Sequence, residues 1–221
     1  KRWKYFKPTF NSILLFHTLE CKFILIMMHP DTEIRFISDE IGYGVVATKF
    51  IPKGTITWVQ DELDQIYTPE QVSKMKKLSQ EMVEKYTFRN NKGNFVMCWD
   101  LSKYVNHSFN SNCLSTAYDF EIAVRDIQEG EELTDDYGYL NVTEEFKAKD
   151  EGTSRSAVYP DDLLNFHEEW DEKLEDAFKY IEMVDQPLNR LLNKDLQLKL
   201  EKVLSGKDDL DSILKLYYQE K

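Results

Sequence analysis

Between Glu33 and Val59 every apolar run is stopped within a few residues by a turn former, and a chain so punctuated can build only short strands. Ile34-Arg35-Phe36-Ile37 reads as the first extended segment, and Gly42-Tyr43-Gly44 breaks it. Val45-Val46-Ala47-Thr48 follows, Ile51-Pro52-Lys53-Gly54 makes a tight turn, and Thr55–Val59 resumes extension. Further short strands are predicted at 94–99, 114–117, 121–125 and 132–134, with a second turn at Asp126–Gly130 much like Ile51–Gly54. One helix interrupts the pattern: Thr68 caps it, Pro69 suits its first position, Gln71 completes a capping box, and it is expected to run to about Lys85. The expected core is mostly β, with a single inserted helix.

The pattern changes after Asn141. Glu144–Ser156 is polar and contains Gly and Ser, and it reads as a linker or mobile loop. Pro160-Asp161-Asp162 then opens a helix whose Leu163, Phe166, Trp170, Leu174, Phe178 and Ile181 recur at three- and four-residue steps. Pro187 interrupts it, a second helix carries Leu188 to Val203, Gly206 ends that, and a short third spans about 210–217. The division expected is a leader (1–28), a β domain (29–143), a linker (144–159) and an α-helical C-terminal extension (160–221).

Charge narrows the partners. The net charge is −12, yet residues 1–28 hold five cations against Glu20 and so carry +4, which leaves −16 on the rest. Such a surface points away from nucleic acid, whose phosphates need a basic face, and toward basic partners. Glu20 and Lys22 interrupt the apolar leader, so its uninterrupted runs are too short to span a bilayer, and no membrane is expected. Residues 1–27 read as lying upstream of the natural start. The three cysteines, Cys21, Cys98 and Cys113, form no CxxC pair; this argues against a disulfide framework or a cysteine zinc cluster and fits a reducing, cytoplasmic setting.

Three segments carry chemistry. Gly42-Tyr43-Gly44 permits close approach of a ligand to main chain. Asn106-His107-Ser108-Phe109-Asn110-Ser111-Asn112-Cys113 offers donors and acceptors for a polar ligand, and His107 has no second His or Cys at metal-ligand spacing. Gly130-Glu131-Glu132-Leu133-Thr134-Asp135-Asp136-Tyr137-Gly138-Tyr139 sets two tyrosines around a glycine. Each segment alone fits a merely structural turn, loop or strand end. Their order and spacing resemble the SET-domain family of protein-lysine methyltransferases, over about residues 33–141.

The resemblance implies a β-clip core of short strands closed by a pseudoknot, and methyl transfer from S-adenosylmethionine to the ε-amine of a protein lysine; the acidic charge adds that this substrate protein is basic. It implies that Gly42, Tyr43 and Gly44 lie along the methionine end of the cofactor and that Asn106 and His107 contact it. It makes Tyr137 the catalytic tyrosine, next to the cofactor, and Tyr139 part of the lysine channel. At neutral pH freeing the lysine lone pair costs roughly 4.6 kcal/mol, which an apolar channel and a nearby sulfonium would lower. The sequence departs from many relatives in two ways. No zinc segment is expected, because Phe109 and the stretch 146–149 lack the cysteines, so Phe146 or Trp170 is the candidate to close the pocket. Asp135 replaces the Phe or Tyr often found two residues before the catalytic tyrosine and linked to the number of methyls added. The alternative reading is a SET fold without catalysis that binds basic peptides.

Overall fold

The computed structural model describes residues 28–219, so the expected leader lies outside the described residues except for Met28, which is buried and bridges to Trp58. The strands are β1 (Thr32–Ser38), β2 (Gly42–Ala47), β3 (Ile56–Val59) and β4 (Gln65–Tyr67), followed by the short helix α1 (Pro69–Ser73) and α2 (Lys77–Tyr86). Next come β5 (Thr87–Arg89), β6 (Phe95–Met97), β7 (Asn106–His107), β8 (Cys113–Ser115), β9 (Phe120–Ala123) and β10 (Glu132–Asp135). The chain then adds β11 (Phe146–Lys147), β12 (Ala157–Val158), α3 (Asp162–Phe178) and α4 (Lys194–Leu204). Three small sheets, in the orders β1-β2-β10-β7, β3-β9-β8 and β4-β6-β5, make the β core.

The two similar turns lie side by side. Ile51 and Ile127 exchange backbone hydrogen bonds at 2.9 and 2.8 Å, and Lys53 N–H donates to Asp126 Oδ1 at 2.9 Å. Both turns need a left-handed residue, and glycine supplies it at Gly54 (φ 89°) and Gly130 (φ 84°).

One pairing positions the site. β10 runs antiparallel to β2 but parallel to β7, with Thr134 opposite Asn106 and Asp135 opposite His107. Asn112 pins this crossing from within: its Nδ2 donates to the Glu132 carbonyl at 2.8 Å and its Oδ1 accepts from Thr134 N–H at 2.8 Å, with the residue fully buried. Asn112→Ala would leave both backbone groups without partners, and buried unsatisfied groups cost about 1–3 kcal/mol each. A loss of about 2–6 kcal/mol is therefore expected, read as a lower denaturant midpoint at unchanged slope.

The inserted helix is two helices. The expected capping box at Thr68 and Gln71 forms, at 3.2 and 2.8 Å, but α1 stops at Ser73 and α2 starts at Lys77. Gln80 explains the break, because its side-chain amide donates to the Ser73 and Met75 carbonyls at 3.2 and 2.9 Å and so satisfies the end of α1. Neither helix has an apolar stripe that would force continuity: α1 buries no residue and α2 buries only Val83.

The stretch 144–159, expected as a linker, folds as a hairpin in which β11 pairs β12, with Ala157 and Val158 buried. Beyond it, α3 lays Leu163, Trp170, Leu174, Ala177 and Phe178 against Ile56 and Val59 of β3 and Phe120 and Ile122 of β9, in one continuous core. Leu188–Leu192 stays outside the second tail helix. Asn193 caps α4 by accepting from Leu196 N–H at 2.9 Å, so regular helix begins only after it. The third tail helix reduces to one 3-10 turn, Ile213–Leu216, held by Asp171 through Ile213 N–H at 2.7 Å. No helix among the described residues is long and apolar enough to cross a membrane.

Candidate active site

The sheet β1-β2-β10-β7 brings the three quoted segments to one place. Asn106 sits across from the start of β2, and its Nδ2 donates to the Tyr43 carbonyl at 3.1 Å and to Glu132 Oε1 at 2.7 Å. Gly44 has no room for a side chain: a Cβ there would lie 2.2 Å from Glu132 Oε1 and 2.9 Å from Asn106 Nδ2. Tyr43 is 56% exposed, and nothing lies within 4 Å of where a Cβ on Gly42 would stand, so this edge opens to solvent.

His107 links the edge to Tyr137. Its Nδ1 accepts from Tyr137 N–H at 3.1 Å, which leaves the ring proton on Nε2, and that buried nitrogen has no partner. Burial lowers the pKa of His107, which favours the neutral ring. The ring touches Phe109 (4.4 Å between centroids), Tyr137 (5.3 Å) and Phe146 (5.8 Å).

The Tyr137 hydroxyl donates to the Val105 carbonyl at 2.8 Å, and Tyr137 lines a cavity of about 420 Å³. Burial, then the charges of Asp135 and Glu132, push its pKa well up, so it stays a phenol. The walls are mainly apolar, with Trp58, Phe88, Val105 and Leu140, while Glu121 and Asp135 line the same space. Trp58 and Phe88 meet edge to face at 6.2 Å. Glu84, Glu144 and Glu145 also line the cavity, among Lys85, Arg89 and Lys103.

Tyr139 is not on this wall. It is 1% exposed and packs edge to face on Trp170 at 5.6 Å, because the 3-10 turn Tyr137–Tyr139 points successive rings to opposite sides. The expected channel role of Tyr139 is therefore corrected, and Asp135, Glu121 and Trp58 occupy the wall instead. Of the two candidate closing aromatics, Phe146 lies 5.8 Å from Tyr137 and lines the cavity, whereas Trp170 belongs to the core.

Arg155 holds the hairpin that carries Phe146. Its guanidinium, 11% exposed, pairs with Asp136 and Asp162 and lies over the rings of Phe109 (4.6 Å), Phe166 (4.4 Å) and Trp170 (5.6 Å). Gly138 makes room for it, since a Cβ there would sit 2.7 Å from its Nη2. Among the described residues no group of three or more His, Cys, Asp or Glu side chains is placed to hold a metal ion, and Cys98 and Cys113 are buried free thiols.

Sequence reasoning gave no role to Glu121, Val105, Asn112 or Arg155. Glu121 left a signal, being one acid inside the apolar run Phe120–Ala123. Val105 acts through its carbonyl, which leaves no trace in a side chain.

A comparison with curated proteins finds no match. Residues 42–138 match the family described as SET domain, a span that starts at Gly42 and ends at Gly138. That family generally comprises protein-lysine methyltransferases that use S-adenosylmethionine and act on protein substrates. Residues 42–138 are a SET domain, set in a fold of short strands plus helices, and the chain is a SET-domain protein.

Proposed function

We propose that this chain transfers a methyl group from S-adenosylmethionine to the ε-amine of a lysine in a basic protein. The observation that carries the reading is the Tyr137 phenol, on the wall of an apolar cavity and beside the Asn106-His107 edge. Two features support a fit to the donor. The bare backbone at Gly44 lets Asn106 and Glu132 close on it, which gathers an amide, a carboxylate and the Tyr43 carbonyl for a zwitterionic amino-acid group. The unpartnered Nε2–H of His107 is a buried donor wanting an acceptor. Gly42, Tyr43, Gly44, Asn106 and His107 would hold the donor, whose chemical contribution is an electrophilic methyl on a cationic sulfur.

The chain's own part is alignment and environment. Trp58, Phe88 and Val105 exclude water around a long side chain, and the hydroxyl of Tyr137 can turn from the Val105 carbonyl to orient an amine. In-line alignment of two bound reactants supplies roughly 7–11 kcal/mol. The net charge of −12 favours encounter with basic proteins.

Incubating the protein with methyl-labelled S-adenosylmethionine and a lysate, then locating label by mass spectrometry, tests this. Label on lysine ε-nitrogens is the expected result. Donor binding in calorimetry with no label on any lysine of a peptide library would overturn it and leave the non-catalytic binding reading.

A further inference from the structure

Two carboxyls face the cavity with no cation to answer them. Glu121 stands within β9 and Asp135 ends β10, and both line the cavity beside Tyr137. They are 7% and 5% exposed. Among the described residues neither makes an ion pair with a lysine or arginine; the nearby Arg125 is engaged by Glu131 at 2.6 Å. Asp135 Oδ1 has no partner at full hydrogen-bond distance, with the Glu121 carboxyl and the Tyr139 hydroxyl its nearest polar neighbours, and Glu121 receives one long bond, 3.4 Å from Ser115 Oγ. The other titratable groups around the pair add no positive charge: Asp136, Tyr137 and Tyr139 follow β10, Asp100 and Cys98 come from the segment after β6, and Cys113 from β8. Carboxylates so buried are strongly disfavoured without a cation or a proton, and the open side of this pair is the cavity.

We propose that Glu121 and Asp135 receive the cationic head of the substrate side chain, and that Asp135 takes its proton. This rests on the methyl-transfer reading and names how the amine is made ready. One N–H bond of the ammonium breaks, its electron pair stays on nitrogen as the lone pair, and the proton goes to an Asp135 oxygen. An ammonium and a carboxylate become a neutral amine and a carboxylic acid, so atoms and charge balance without a further reagent. Burial, the first cause, raises Asp135 to about 6, while burial and the Asp135 charge raise Glu121 well above the carboxylate range. Burial and their mutual repulsion keep the two from ionising together, so the pair favours one shared proton and one negative charge. That charge draws the ammonium into an otherwise apolar space.

The test begins with the full chain and no methyl donor. Titration calorimetry compares n-butylammonium with n-butanol, equal in length and different in charge. The wild type is expected to bind the ammonium about tenfold tighter or more, as a buried charge-assisted contact contributes. This preference should fade as pH falls through about 6, where Asp135 gains its proton. Asp135→Asn should abolish the preference and Glu121→Gln should weaken it. No preference in the wild type, or a preference kept by Asp135→Asn, overturns the proposal.

Asp135→Asn is expected to fold. A carboxyl whose folded pKa is raised from 3.8 to about 6 stabilises most below 3.8 and loses that contribution as pH rises through about 6, whereas asparagine does not titrate. On a lysine peptide, the acid limb of kcat/KM near pH 6 should vanish in Asp135→Asn and the rate should climb toward the ordinary lysine pKa of about 10.4. Ammonium binding without methyl transfer would sink the function proposed above and leave this site standing; transfer without ammonium preference would do the reverse.

Discussion

Replacing Arg155 by alanine is expected to destabilise the protein by about 3–5 kcal/mol, the range found when one member of a buried ion pair is removed. The size follows from what would be left behind. Asp136 and Asp162 have side chains 1% and 3% exposed, so water cannot take over the role of the guanidinium. Their other hydrogen bonds, from Gly138 N–H at 2.9 Å to Asp136 and from Tyr159 N–H at 3.0 Å to Asp162, do not neutralise them. The rings of Phe109, Phe166 and Trp170 would face a hole in place of a flat cation. Urea unfolding near neutral pH measures the loss, and added salt should change it little because the site is buried. Adding Asp136→Asn and Asp162→Asn to Arg155→Met should recover part of it, since no orphan charge then remains. A stability change under 1 kcal/mol in Arg155→Ala would show that this cluster is not what fastens the hairpin.

Tyr137→Phe is expected to cut methyl transfer by about 10²–10³-fold, the usual cost of losing one aligned donor at a reacting centre. The fold should survive. Only the hydroxyl goes, and its one lost bond, to the Val105 carbonyl at 2.8 Å, is worth about 1–2 kcal/mol. Because burial pushes the phenol above its ordinary pKa, Tyr137 should contribute no limb to the pH–rate profile near neutrality, which separates its role from that of Asp135. Single-turnover rates with saturating donor and peptide check the prediction. A Phe variant that keeps wild-type turnover would remove Tyr137 from the chemistry.

What the sequence allowed to be read was whatever rests on local rules. The turn glycines at 54 and 130, the Thr68 capping box and the apolar stripe of α3 follow from backbone angles, caps and periodicity, and all are in the structure. The meeting of Asn106 with Tyr43 and of His107 with Tyr137 was legible only through the family resemblance, since no local rule predicts a parallel pairing between strands separated by more than twenty residues. The stretch 144–159 misled because polar composition suits loops, while what orders it is the pairing of Val158 with Phe146 and of Arg155 with Asp136 and Asp162, which no local composition signals. Tyr139 misled for a different reason: a 3-10 turn, unlike a strand, does not return the second residue along to the same side. Glu121 and Asp135 share a wall although β9 and β10 belong to different sheets, a relation that lies in the packing.

The family match ends at residue 138, but the oily interior does not. Trp170, Leu174 and Phe178 are as much a part of it as Ile56 or Phe120, and Ile213 near the far end of the chain is wholly enclosed. Trimming the protein at the edge of the recognised domain would therefore lay bare the underside of β3 and β9 and invite clumping. Heating the intact chain should give one sharp melting step shared by both halves, the behaviour of a single cooperative block.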